Sequence, residues 1–226
     1  MDAFFSKLFP NVASNLDVFN AAIIQTLQMV VISGIISFLL SLTFGILIVV
    51  TKGGGILANK IVWNVLDKII NLFRSIPFII LIAALIPVTR IISGTAIGVK
   101  GTIFPLIIGI TPFFTRQIES ALNETDDGLI ETGEVIGLTP WQLVWSVYLH
   151  ESISSISRVT TITLVSLIGL TAIVGVVGGG GLGDFAIQYG YQQNQFDATI
   201  ACIIVLLILV SIVQIIGTFI SKKATH

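Results

Sequence analysis

Charge is scarce in this chain: 10% of its 226 residues are Asp, Glu, Lys or Arg, against about 25% in an ordinary soluble domain. With 54% hydrophobic types and a mean hydropathy of +1.02, the apolar surface has no room in one aqueous core, and the bilayer is the solvent that this composition requires. Cysteine occurs once, at Cys202, which excludes an intrachain disulfide. Histidine occurs twice. His150-Glu151 opens like a zinc-protease motif, but residue 154 is serine where the second ligand would stand, so no metal site is expected. The G-x-x-x-x-G-K-[ST] phosphate loop is missing, so the chain is not expected to hydrolyse ATP itself. No Ala-x-Ala site follows the first apolar run, which starts too late and is too long for a cleavable signal; the N-terminus is expected to stay.

What the chain does have is long uncharged runs. Residues 21–50, 159–183 and 198–221 are each long enough to cross a membrane unaided. Residues 75–89 and 101–115 have 15 residues each, roughly 22 Å of helix against a core of about 30 Å, so they span only with polar neighbours drawn in. Pro77, Pro87, Pro105 and Pro112 interrupt these two, freeing backbone groups that need a protein or water-lined surround, which marks them as the expected pore lining. The expectation is an all-α polytopic membrane protein, one domain over 1–226, with five spans at 21–50, 61–90, 101–122, 155–178 and 197–221. A cytoplasmic hairpin at 126–150 joins the third span to the fourth.

Arg74 is the informative charge within a span, and a charge at membrane depth costs at least about 2.5 kcal/mol unless paired or facing a cavity. Either it lines the path with Ser75, Pro77 and Phe78, or it snorkels inward toward Asp67, two turns earlier on the same face. Lys52, Lys60, Lys68, Arg116, Arg158, Lys222 and Lys223 share one side of this threading, with only Lys7, Arg90 and Lys100 on the other, which places the N-terminus outside and the C-terminus in the cytoplasm. Ahead of the first span, Phe4, Phe5, Leu8, Phe9 and Val12 recur at helical spacing, suited to an interfacial helix or to contact with the bundle.

The polar hairpin is the passage that simple connection does not explain. Thr125-Asp126-Asp127-Gly128 has the chemistry of a helix start, and the helix continues through Leu129 to Ile136, with Leu129, Ile130, Gly133 and Ile136 on one stripe and Glu131 and Glu134 on another face. Gly137 fits the left-handed position that ends it. Thr139 then reads as a new N-cap, with Pro140 at the first helical position and Gln142 closing a capping box; Leu138 lies in the corner and Trp141 just beyond it.

At these residues the sequence resembles the permease subunits of bacterial ABC importers, whose cytoplasmic signature runs Glu-Ala-Ala, three residues, Gly, nine residues, Ile-x-Leu-Pro. Here Glu131-Thr132-Gly133 precedes Gly137 at that distance, and Val147-Tyr148-Leu149-His150 follows nine residues later, with His150 in place of Pro. Arg74-Ser75-Ile76-Pro77-Phe78, the run from Thr160 to Ser166, and Gly179 to Asp184 with Tyr189-Gly190-Tyr191 are similar to the branch that imports methionine, in its D and L forms. The resemblance implies that Glu131, Thr132, Gly133, Gly137, Leu138, Thr139, Pro140 and Trp141 form a coupling helix seated in an ATPase subunit. It implies that Gly180, Gly181, Leu182, Gly183 and Tyr189 face an extracytoplasmic substrate-binding lipoprotein or the outer gate. It further implies a homodimer in the bacterial inner membrane, served by two cytoplasmic ATPase subunits that use ATP and Mg, with no cofactor, metal or nucleic acid bound by this chain. The alternatives are an importer of another small amino acid or organic solute, or an ion-coupled carrier, for which Asp67 is the only candidate acid. Gly178, Gly180 and Gly183 also satisfy G-x-G-x-x-G, but no βαβ unit surrounds them, so they read as a turn or a close helix contact.

Overall fold

The computed structural model describes residues 7–224. Within them the backbone is helical and contains no strand, the expected answer for apolar runs whose peptide groups have no water to bond. The elements are α1 (Pro10–Ser14), α2 (Leu16–Thr51), α3 (Lys60–Ser75), α4 (Phe78–Ser93), α5 (Gly98–Leu122), α6 (Asp127–Val135), α7 (Pro140–Leu143), α8 (Leu149–Glu151), α9 (Ile153–Val176), α10 (Gly181–Phe185) and α11 (Phe196–Ala224). Wider π-helical turns at Val144–Tyr148 and Ala186–Gln192 lead out of α7 and α10. Four helices, α2, α5, α9 and α11, are long and apolar enough to cross a membrane, or five spans result if α3 and α4 count as one broken span.

The break between α3 and α4 has a local cause. Pro77 pushes the residue before it out of the helical region, and Ile76 is accordingly extended at φ −84° and ψ 122°. The other prolines do not interrupt their helices: Pro87 lies inside α4, and Pro105 and Pro112 lie inside α5. An interior proline removes one backbone bond, which a helix in an apolar bundle tolerates when neighbouring hydroxyls reach the backbone. The carbonyl that Pro112 leaves without a helical donor is that of Ile108; close by, the Thr111 carbonyl accepts from the hydroxyls of Ser41 (3.1 Å) and Thr115 (2.8 Å).

The described residues form two compact units, and α2, α5, α9 and α11 each contribute a stretch to both. In the unit drawn from Met1–Ile35, Pro77–Ile108 and Leu164–Val213, the core gathers Val12, Phe19, Leu182, Phe185, Ala198 and Cys202. Val12 of α1 is fully buried there and Phe9 packs alongside, while Leu8 is exposed and Phe4 and Phe5 lie outside the described residues. Asp197 ties α1 down by accepting from the Asn11 backbone N–H (2.9 Å) and side-chain amide (2.8 Å). In the unit drawn from Ile36–Ile76, Gly109–Thr163 and Gln214–His226, the core gathers Val49, Phe114, Ile118, Leu122, Tyr148 and Val159. This second unit carries the hairpin.

Candidate functional site

The hairpin is built from caps. Asp126 opens α6, its carboxylate accepting from Gly128 N–H at 2.7 Å. At the other end Gly137 adopts φ +84°, the Gly137 N–H donates to the Glu134 carbonyl and the Leu138 N–H donates back to the Gly133 carbonyl, both at 3.0 Å. This six-to-one closure needs a left-handed residue at its corner, and glycine takes that conformation at no steric cost. Thr139 then caps α7: its hydroxyl accepts from Gln142 N–H at 3.4 Å, and the Gln142 side-chain oxygen accepts from Thr139 N–H at 2.8 Å. The reciprocal pair is the capping box that the spacing predicts.

Gly133 sets how closely the two short helices meet. A Cβ there would crowd the end of the Leu143 side chain, which is buried against it, so a larger residue is accommodated only if that side chain shifts. The predicted stripe does not bury as a unit: Gly133 is covered and Ile130 half-covered, but Leu129 and Ile136 stay exposed. Instead the hairpin turns apolar side chains outward, with Val135 86%, Ile136 70%, Trp141 69% and Trp145 67% exposed. A group of large apolar side chains on rigidly capped backbone marks a contact surface.

Beside it opens a cavity of about 420 Å³, lined by Lys52 and the glycines after it, by Asp127, Glu131 and Glu134 of α6, and by Tyr148. The shared face of Glu131 and Glu134 therefore borders a polar hollow. Lys52 Nζ donates to Asn123 Oδ1 at 2.6 Å, both residues lining the hollow. Burial pushes the Tyr148 phenol above its ordinary pKa, and the carboxylates of Asp127 and Glu134 push it further the same way.

The structure assigns Asp67 elsewhere than the sequence suggests. Arg116 of α5 takes it, in a pair that also draws Glu119 (2.6 Å) and the Asn71 side-chain oxygen (3.1 Å). The guanidinium fork satisfies several acceptors at once, whereas Arg74 sits about 10 Å further along α3, two turns away. Among the described residues Arg74 has no ion-pair partner and is exposed. Ser75 closes α3 by donating to the Asn71 carbonyl (2.8 Å), Pro77 precedes α4, and Phe78 begins it, half-buried. The Arg116 cluster escaped sequence reasoning because Asp67 and Arg116 lie 49 positions apart.

The glycine-rich segment is tied into its own unit. Gly181 N–H donates to Gln25 Oε1 (2.8 Å) and Leu182 N–H to Thr26 Oγ1 (2.9 Å). Leu182 is fully buried, Gly181 and Gly183 are buried, Gly180 is half-buried, and Tyr189 stacks on Phe185 with ring centroids 4.5 Å apart.

Long apolar helices, a helix pair bent by 107° and a capped polar hairpin with outward tryptophans fit an integral membrane protein. The chain belongs to the family of inner membrane components of binding-protein-dependent transport systems, which matches it over residues 43–226. It is 42% identical over 214 residues to a probable D-methionine transport system permease protein MetI of Vibrio cholerae, covering 95% of each chain. It is 45% identical over 129 residues to the D-methionine permease MetI of Escherichia coli K12, covering 57% of this chain and 59% of that one. Among solved structures, a chain of the MetNI methionine ABC transporter in inward-facing conformations superposes with a TM-score of 0.90 at 40% identity, covering 92% of this chain and 97% of that one. An amino acid ABC transporter at 17% identity shares the fold, with a TM-score of 0.77.

Proposed function

We propose that this chain is the membrane-spanning subunit of an ATP-driven methionine importer, one transmembrane domain working as a homodimer. Two ATPase subunits sit on its cytoplasmic side and a substrate-binding lipoprotein on its outer side, with the N-terminus outside and the C-terminus in the cytoplasm. The observation that carries the reading is the hairpin, a corner fixed by two caps and a glycine turn that holds Val135, Ile136, Trp141 and Trp145 away from the chain's own core. Exposed anchors on stiff backbone suit a lever, because force applied at the contact moves the helices instead of bending the loop.

In this mechanism ATP draws the ATPase subunits together, and the coupling residues from Glu131 to Trp141 carry that motion into the helices. The break before Pro77 frees backbone groups beside Arg74, Ser75 and Phe78, which suits a translocation path. Gly180 to Gly183 with Tyr189 stiffen the outer end, where the binding protein delivers substrate. The chain performs no chemistry and binds no cofactor; ATP and Mg belong to the partner. Substrate identity rests on the likeness to the D-methionine permeases and to the methionine transporter chain. The engagement of Asp67 by Arg116 weighs against an ion-coupled carrier, because it occupies the one acid such a carrier would use.

Uptake of labelled methionine into proteoliposomes holding the assembled complex and its binding protein tests this. The expected result is accumulation that needs internal ATP and ignores an imposed ion gradient. Uptake driven by the gradient without ATP would overturn it.

A further inference from the structure

We infer that the C-terminal end of α11 and the start of α9 form a binding site for the headgroup phosphate of an anionic phospholipid. A crevice of about 350 Å³ opens there, lined by Arg158, Thr161, Ile162, Thr218, Ser221 and Lys222. That volume lies at the lower end of ligand pockets, which run from about 300 to 1,000 Å³. Its lining carries two cations and several hydroxyls; Glu124, which is not among the lining residues, pairs with Arg158, and Lys222 supplies the second positive charge.

The two helix ends are pinned at one level by paired serines: Ser154 and Ser221 share a hydroxyl contact at 3.0 Å, and each hydroxyl also donates to the other's carbonyl, at 3.2 and 3.3 Å. One turn further in, Ser157 donates to the Gly217 carbonyl at 3.3 Å. The crevice is therefore fixed by hydroxyl-to-carbonyl bonds between two helices, not by loop positions. Arg158 is itself oriented, because its Nη2 contacts both oxygens of Glu124 at 3.1 and 2.8 Å. Among the described residues Lys222 has no carboxylate partner.

The surrounding surface selects the occupant. Ile215 and Phe219 of α11 are exposed on the stripe that leads to Lys222, and the exposed apolar side chains of the helix stop at Ile220, two residues before it. On a membrane-spanning helix such a boundary marks the depth where acyl chains give way to headgroups. A diacyl lipid could lie along the stripe while its phosphodiester meets Arg158 and Lys222, whereas a free phosphate would gain nothing from Ile162 or the stripe. Basic crevices between spanning helices on the inner side are suited to anionic headgroups. The inference depends on the membrane-spanning reading and adds a specific lipid contact to it.

The test uses the assembled complex in nanodiscs that mix phosphatidylglycerol with phosphatidylcholine, followed by extraction and counting of the lipids that remain bound. Wild-type chains should retain phosphatidylglycerol preferentially. Lys222→Gln should lower that retention about five-fold, as one interfacial charge implies. Lys222→Arg should keep it, and Lys223→Gln, one position outside the crevice, should leave it unchanged. Equal retention of the two lipids by wild type, equal retention by Lys222→Gln, or the same loss in Lys223→Gln would overturn the site. Displacement of phosphatidylglycerol by millimolar inorganic phosphate would assign the crevice to a soluble anion and overturn the lipid. Recovery of the chain in the bilayer fraction is scored separately, so failure to insert would speak against the spanning reading and not against this one.

Discussion

The hairpin at residues 126–150 and the glycine-rich segment at 178–192 are made of the same parts with opposite results. Each joins a short helix to a π-helical turn, and each has left-handed glycines, Gly137 in one and Gly178, Gly180 and Gly181 in the other. In the glycine-rich segment Leu182 and Phe185 point into the core, and backbone donors are taken up by Gln25 and Thr26. In the hairpin Val135, Ile136, Trp141 and Trp145 point away from it. Local backbone devices therefore do not decide whether a segment completes its own fold or waits for a partner. The direction of the large apolar side chains decides it, since about 25 cal/mol per Å² of apolar area is gained only where something covers that area.

Substitutions can break that contrast. The largest effect is expected for Leu182→Ala, which leaves a cavity in a closed core and should cost about 3 kcal/mol of stability, read by thermal or denaturant unfolding in detergent, with binding of the ATPase subunits by the chains that remain folded unchanged. Trp141→Ala should do the reverse. Stability should hold, while affinity for the ATPase subunits falls by about 2 kcal/mol, roughly 30-fold, in a titration of the purified partners. Gly137→Val places a β-branched residue at φ +84°, a strain of about 1–3 kcal/mol; ATP hydrolysis should continue while uptake falls at least about ten-fold, and normal coupled transport would remove the corner from the mechanism.

Smaller effects sharpen the comparison. Gln142→Ala opens one side of the capping box and should cost about 1 kcal/mol, measured as faster amide exchange confined to the start of α7. Tyr148 should matter least near neutrality. Its folded pKa is raised above the unfolded value of about 10, so its contribution is fully present below that pH and is lost only as pH rises through the folded pKa. Tyr148→Phe should accordingly leave the pH profile of transport between about 6 and 8 unchanged, because the phenol stays neutral throughout that range.

Much of this was legible in the sequence, and the limits have a physical reason. Uncharged runs fixed the helical class because lipid leaves the backbone few other choices. Thr139, Pro140 and Gln142 announced their box because a cap acts within four residues, and Gly137 announced its corner for the same reason. Contacts between distant elements were not legible. Asp67 stood as one possible partner for Arg74 on its own helix but pairs with Arg116, and the crowding at Gly133 comes from Leu143 across the corner. Prolines misled in one direction only: Pro77 stops a helix where Ile76 can extend, while Pro87, Pro105 and Pro112 sit inside helices that continue through them.

The central claim is that the outward face of the hairpin is where the motor pushes. A single cysteine at Trp141 tests it directly, because the native Cys202 is buried and should not compete for the reagent. In the assembled complex, Trp141→Cys should cross-link to the ATPase subunit through a short bifunctional reagent, in a yield that changes when ATP is bound. A cysteine there that labels freely from water in the complex, with or without ATP, would contradict the account.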